Sequence, residues 1–110
     1  MQISSRELKR VNVVTVGGRV DSAAAPDLEQ TLQSLIDSRR TQIVIELGEV
    51  EYMSSAGLRA LVSALKAAKK GGGDVVIARP STRVREVLEL AGLTSVFALY
   101  DDVVEAVGSF

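Results

Sequence analysis

The stretch Glu49–Leu61, "EVEYMSSAGLRAL", sets two adjacent hydroxyls and a glycine where an apolar run gives way to helical spacing. Three chemistries suit such a junction. A serine ahead of an apolar-periodic run can cap the helix, its oxygen accepting a backbone N–H of the first turn. A serine can instead be a nucleophile, given an adjacent base. Or a hydroxyl at the positive end of the helix dipole can carry a phosphate, adding about −1.5 to −2 charges to a near-neutral surface. A cap accounts for one serine and leaves the second, and the Ala56-Gly57 pair, unexplained. Glycine in a first helical turn costs up to ~1 kcal/mol relative to alanine unless something must approach closely there. A kinase active site is one candidate for that approach.

The nucleophile lacks its usual company. The chain has no histidine and no cysteine, so the commonest general base, the commonest metal ligand and all thiolate chemistry are missing. The G-x-S-x-G elbow is absent, and the lysines after Ser55 fall about three turns along the helix. We therefore expect no enzyme, no cofactor and no metal site. Three other clusters resolve more simply. "KKGGG" (Lys69 to Gly73) follows a helix instead of preceding one, so it is a helix stop and not a phosphate loop. The arginines of "RPSTRVRE" (Arg79 to Glu86) read as a solvated helix start. Asp101 and Asp102 read as caps of a last helix.

Charge and composition narrow the partners. With 13 basic and 14 acidic residues the net charge is −1, which gives no field to draw nucleic acid or an anionic membrane. The aromatic residues are only Tyr52, Phe97, Tyr100 and Phe110, too scattered to stack bases. The opening "MQISSRELKR" has no signal-peptide core, and no run reaches the ~18 apolar residues of a membrane span. The expectation is a cytoplasmic protein.

The elements that must hold these residues follow from periodicity. Gln2–Leu8 and Val11–Val16 flank Lys9-Arg10 as an antiparallel hairpin, the first strand the more exposed, with Gly17-Gly18 ending the second. Val20-Asp21-Ser22 leads into a helix with Leu28, Leu32, Leu35 and Ile36 on one face, Pro26 in its first turn and its end near Ser38. "QIVIEL" is a strand apolar on both sides, so it belongs mid-sheet. A helix with Leu58, Leu61, Val62 and Leu65 on one stripe follows the serines, with Lys66, Lys69 and Lys70 near its end. "DVVIA" is another buried strand, making Gln42 to Ala78 a parallel strand–helix–strand crossover. Ser81 caps a third helix bearing Val84, Val87, Leu88 and Ala91. A short edge strand at Val96–Leu99 and a last helix from about Asp101 complete the chain. The whole, residues 1–110, is one α/β domain of about five strands in a mixed sheet with about four helices, without linker or repeat. That length buries about two thirds of its unfolded surface.

"VIELGEVEYMSSAGLRALVSAL" resembles the centre of the STAS domain, specifically that of bacterial anti-sigma factor antagonists. Tyr52-Met53-Ser54-Ser55-Ala56-Gly57-Leu58 matches the family form [FY]-[MIV]-[DS]-S-[ASTG]-G-L position by position. "GGRVD" (Gly17 to Asp21) is similar to the turn that opens the family's first helix, and "VLELAGLTSVFALYDD" (Val87 to Asp102) to its closing elements. The resemblance implies a regulator that works by partner switching. Its partner is an anti-sigma factor serine kinase of the histidine-kinase-like ATPase class, and a manganese- or magnesium-dependent serine phosphatase reverses the mark. By position it makes Ser55 the phosphoacceptor, with Ser54 the second choice, and Asp21 the acidic residue beside it. Ser22, Ser54, Ala56, Gly57 and Arg59 complete the expected partner-binding face. Ser54 stands where the best-studied type has aspartate. A phosphorylation-independent module, in a sensory complex or as a small subunit of a lipid transporter, is the alternative the resemblance also allows.

Overall fold

Two β-branched runs set the frame. Strand β1 (Gln2–Leu8) pairs antiparallel with β2 (Val11–Val20), and β2 pairs parallel with β3 (Gln42–Met53). Parallel pairing continues to β4 (Asp74–Ala78) and β5 (Leu99–Tyr100), giving a mixed five-stranded sheet in the order β1-β2-β3-β4-β5. The computed structural model describes residues 1–110.

Each step between neighbouring parallel strands is taken by one helix: α1 (Ala25–Asp37), α2 (Ser55–Lys70) and α3 (Thr82–Leu90). Crossovers of one hand that step in one direction across a sheet all land on the same face. Accordingly Leu28 and Leu32 of α1, Leu61 and Leu65 of α2, and Val84 and Leu88 of α3 share one core with Val14, Val16, Ile43, Ile45, Leu47 and Ile77 of the strands. The opposite face carries the alternate residues Val11, Val13, Val44, Val76 and Ala78, and only the short helix α4 (Val103–Gly108) covers it, through Ala106. No helix is long and apolar enough to cross a membrane.

Local signals were met at most junctions. Pro26 lies in the first turn of α1, Lys69 and Lys70 in the last turn of α2, and Ser81 caps α3, accepting from the Val84 N–H at 3.2 Å. Ser81 also donates its hydroxyl proton to the Val50 carbonyl at 2.8 Å, fixing α3 to β3. Four expectations shift. Gly17-Gly18 do not end β2, which runs on to Val20 across register shifts, Gly18 taking φ of +80°; glycine supplies that backbone without a Cβ penalty. β3 likewise extends past Leu47 to Met53, because the partner strand gives its polar second half something to pair with. The last strand is Leu99–Tyr100 and not Val96–Leu99: the N–H groups of Val96 and Phe97 both donate to the Leu93 carbonyl, at 3.0 and 3.1 Å, curling that segment onto the end of α3. The last helix starts at Val103, capped by Asp102 alone, whose carboxylate accepts from the Glu105 N–H at 2.7 Å. Arg79, exposed just ahead of α3, also reaches back over Gly48 to buried Glu46 at 2.6 Å, and Thr15 donates to the other Glu46 oxygen at 3.0 Å.

Candidate functional site

In an open parallel sheet the carboxyl ends of the strands and the amino ends of the following helices meet at one edge, where backbone N–H groups point outward. Here that edge holds the serine pair. Val20, the last residue of β2, pairs with Met53, the last of β3, and the Ser54 N–H donates to the Val20 carbonyl at 2.8 Å. The chain therefore leaves the sheet at Asp21 and Ser54 side by side.

The two serines are not equivalent. Ser54 is the N-cap of α2 and is only 9% exposed; its Oγ accepts from the Gly57 N–H at 3.1 Å, and its carbonyl accepts from the Leu58 N–H at 3.0 Å. Ser55 is the first helical residue, and it is exposed, with its hydroxyl outside the cap. Two of the four N–H groups that a helix start leaves over are thus satisfied, and those of Ser55 and Ala56 have no intrahelical acceptor. The first turns of α2 and α3 contain no acidic residue, whereas those of α1 and α4 hold Asp27 and Glu105. No carboxylate of its own first turn offsets the positive end of the α2 dipole, a position where an anion is favoured.

Aspartate and serine are near-equal helix caps. The serine at position 54, where the resemblance leads one to expect aspartate, therefore keeps the helix start intact. Gly57 has an internal reason to be glycine. It is buried, and a Cβ there would collide with Met53 Sδ and Val20 Cγ1. The close approach foreseen for a kinase is made by the protein's own core, so Gly57 shapes the site from below instead of facing a partner.

The remaining predicted residues surround Ser55 unevenly. Asp21 is half-buried, and its Oδ1 accepts from the Ala24 N–H at 2.9 Å, closing the turn that starts α1. Ser22 is exposed in that turn, Ala56 is half-buried, and Arg59 is exposed one helical turn beyond Ser55. Composition and spacing missed the neighbours that strand register brings in. Arg19 lies over the Tyr52 ring at 4.6 Å from its centroid, because those two residues are directly paired. A hollow of about 730 Å³ next to them joins Asp21 to Glu49 and Glu51. No group of three or more acidic side chains is gathered as a metal-ligating set.

Comparison with known proteins fits this geometry. The family model described as "STAS domain" matches residues 2–106. The chain is 30% identical over 110 residues to BtrV of Bordetella bronchiseptica, a candidate anti-sigma factor antagonist, covering 100% of this chain and 95% of that one. It is 34% identical over 80 residues to the anti-sigma-B factor antagonist of Staphylococcus aureus, covering 73% of this chain and 74% of the relative. Among solved structures the same fold is found in SpoIIAA. Its unphosphorylated form superposes with a TM-score of 0.86 at 19% identity, covering 98% of this chain and 95% of that chain. The phosphorylated form, from Bacillus, gives 0.79 at 18% identity and covers 98% of each.

Proposed function

The chain belongs to the STAS domain family, and from that footing we propose that it is an anti-sigma factor antagonist that works by partner switching on Ser55. Unphosphorylated, the edge formed by Asp21, Ser22, Ser55 and the exposed first turns of α2 docks on an ATP-binding anti-sigma factor serine kinase. Phosphorylation of Ser55 releases the kinase, which is then free to hold its sigma factor, and a metal-dependent serine phosphatase restores the binding form.

One observation carries this reading: of the two serines, Ser54 is spent as a cap and only Ser55 offers an accessible hydroxyl, at a helix start with no acidic residue of its own. A kinase needs a hydroxyl that can enter its active site, and only Ser55 can do so without undoing the helix cap. Release needs no rearrangement of the domain. A dianion placed in the middle of a docked surface repels acidic groups and must be desolvated, and like-charge juxtaposition there costs several kcal/mol. The rigid frame beneath, Met53 and Val20 packed against Gly57, keeps the change local.

Incubation with the cognate kinase and ATP tests the proposal. The wild-type protein should bind, become phosphorylated and be released, whereas Ser55→Ala should bind and stay bound. A Ser55→Ala protein that is still released by ATP would place the switch elsewhere.

A further inference from the structure

The opposite edge of the sheet carries a second surface that the serine switch does not use. Six large apolar side chains of this protein are markedly exposed, and three of them line one groove of about 690 Å³: Leu8 at 40%, Val104 at 81% and Phe110 at 40%. The groove runs between α4 and the β1–β2 turn. Val103 and Val107 of α4 are only half-buried along it, and Val11 is among its lining residues. The only charged side chains lining it are those of Lys9 and Arg10.

Those two residues occupy a costly position. They are the whole turn between paired Leu8 and Val11, and both have positive φ, +51° and +68°. Two-residue hairpin turns of this kind favour Asn-Gly, because side chains with a Cβ are strained there. The chain nevertheless places two long cations in that turn, at the rim of a largely apolar exposed groove. Strain kept at a surface position points to a use for the side chains that bear it.

We propose that this groove is a docking site for a short acidic amphipathic helix of a partner protein, and that it works independently of the state of residue 55. An apolar stripe would lie against Val104, Val107, Leu8 and Phe110, and acidic flanks would face Lys9 and Arg10, which is helix-in-groove recognition with complementary charge. A bilayer fits less well. The surface is concave, it offers two cations, and the whole chain carries a net charge of −1. A second copy of the chain is the competing occupant, since exposed Leu90 beside Glu86 and Glu89 on α3 has related chemistry.

The test is a titration of the isotope-labelled full chain with a synthetic amphipathic helix of about four turns, leucine on one stripe and glutamate elsewhere, beside the same peptide with lysine for glutamate. Amide shifts should be confined to Leu8–Val11 and Val103–Phe110, with the glutamate peptide bound about tenfold more tightly than the lysine peptide, as two ion pairs would give. Lys9→Glu with Arg10→Glu should reverse that preference. Val104→Asp should weaken both peptides, while amide positions around Ser55 confirm that each variant is folded. Equal binding of the two peptides, or shifts elsewhere, would overturn the proposal. So would concentration-dependent self-association that Val104→Asp abolishes, which makes the groove a contact between copies. Co-sedimentation with phosphatidylglycerol-containing vesicles in preference to either peptide would overturn it in favour of a lipid surface.

Discussion

The two edges of the sheet are built from the same strands and differ in almost every chemical respect. At the carboxyl edge four helices begin, three of them with side-chain caps, and the surface around Ser55 is polar and rich in backbone N–H groups. At the amino edge the hairpin turns, α4 ends, and apolar side chains stand half in water beside two cations. The difference follows from topology. Parallel strands joined by crossovers send every helix start to one edge, so dipoles and unpaired donors accumulate there and favour an added anion. The other edge receives helix ends and turns, and α4 buries Val11, Val13, Val44 and Val76 but leaves Leu8 of β1 partly in water. One edge suits a switch made by a charge; the other suits contacts that a charge at Ser55 does not reach.

The largest effect that distinguishes the edges is on binding. Ser55→Asp should weaken affinity for the kinase by about a hundredfold, ~2–3 kcal/mol, while Val104→Asp changes it less than about twofold. Calorimetric titration of the three proteins measures both, and equal losses from the two substitutions would erase the distinction.

Next comes the packing under the serines. Gly57→Ala should destabilise the domain by about 1–3 kcal/mol, since the new methyl meets Met53 and Val20 in a core with little room to yield. Chemical denaturation reads this directly; a variant of unchanged stability that only loses partner binding would mean the glycine serves the interface after all. Ser54→Ala should cost ~1 kcal/mol as a lost cap, and Ser54→Asp should lie within about 0.5 kcal/mol of wild type. If both unfold as readily, the cap does not explain why that position takes either residue.

The smallest effect belongs to the far edge and has the opposite sign. Lys9→Asn with Arg10→Gly should raise stability by roughly 0.5–1 kcal/mol by relieving the positive-φ turn, with no change in kinase affinity. Thermal unfolding of the double variant checks it, and a loss of stability would show that the two side chains hold the hairpin together.

What could be read from the sequence divides along the same line. Much of what local chemistry governs was legible: the serine cap at position 81, Pro26 opening α1, the lysines closing α2, and the strand–helix–strand unit from Gln42 to Ala78. What depended on register was not. Gly17-Gly18 read as a stop because nothing in the local sequence shows that β3 runs alongside to Met53 and holds β2 in line as far as Val20. The pairing of Arg19 with Tyr52, and of Arg79 with Glu46 across 33 residues, likewise exists only once the strands are in place. The serine pair sits between these cases. Spacing marked both hydroxyls, and only the backbone geometry of the cap separates the buried one from the free one.

Phosphopeptide mapping of the protein isolated from its native cells, across growth and stress, is the decisive measurement for the switch at Ser55. A single phosphate is expected on Ser55, its occupancy changing with condition, with none on Ser54. Phosphate on Ser54, or an unmodified protein in every condition, would contradict it.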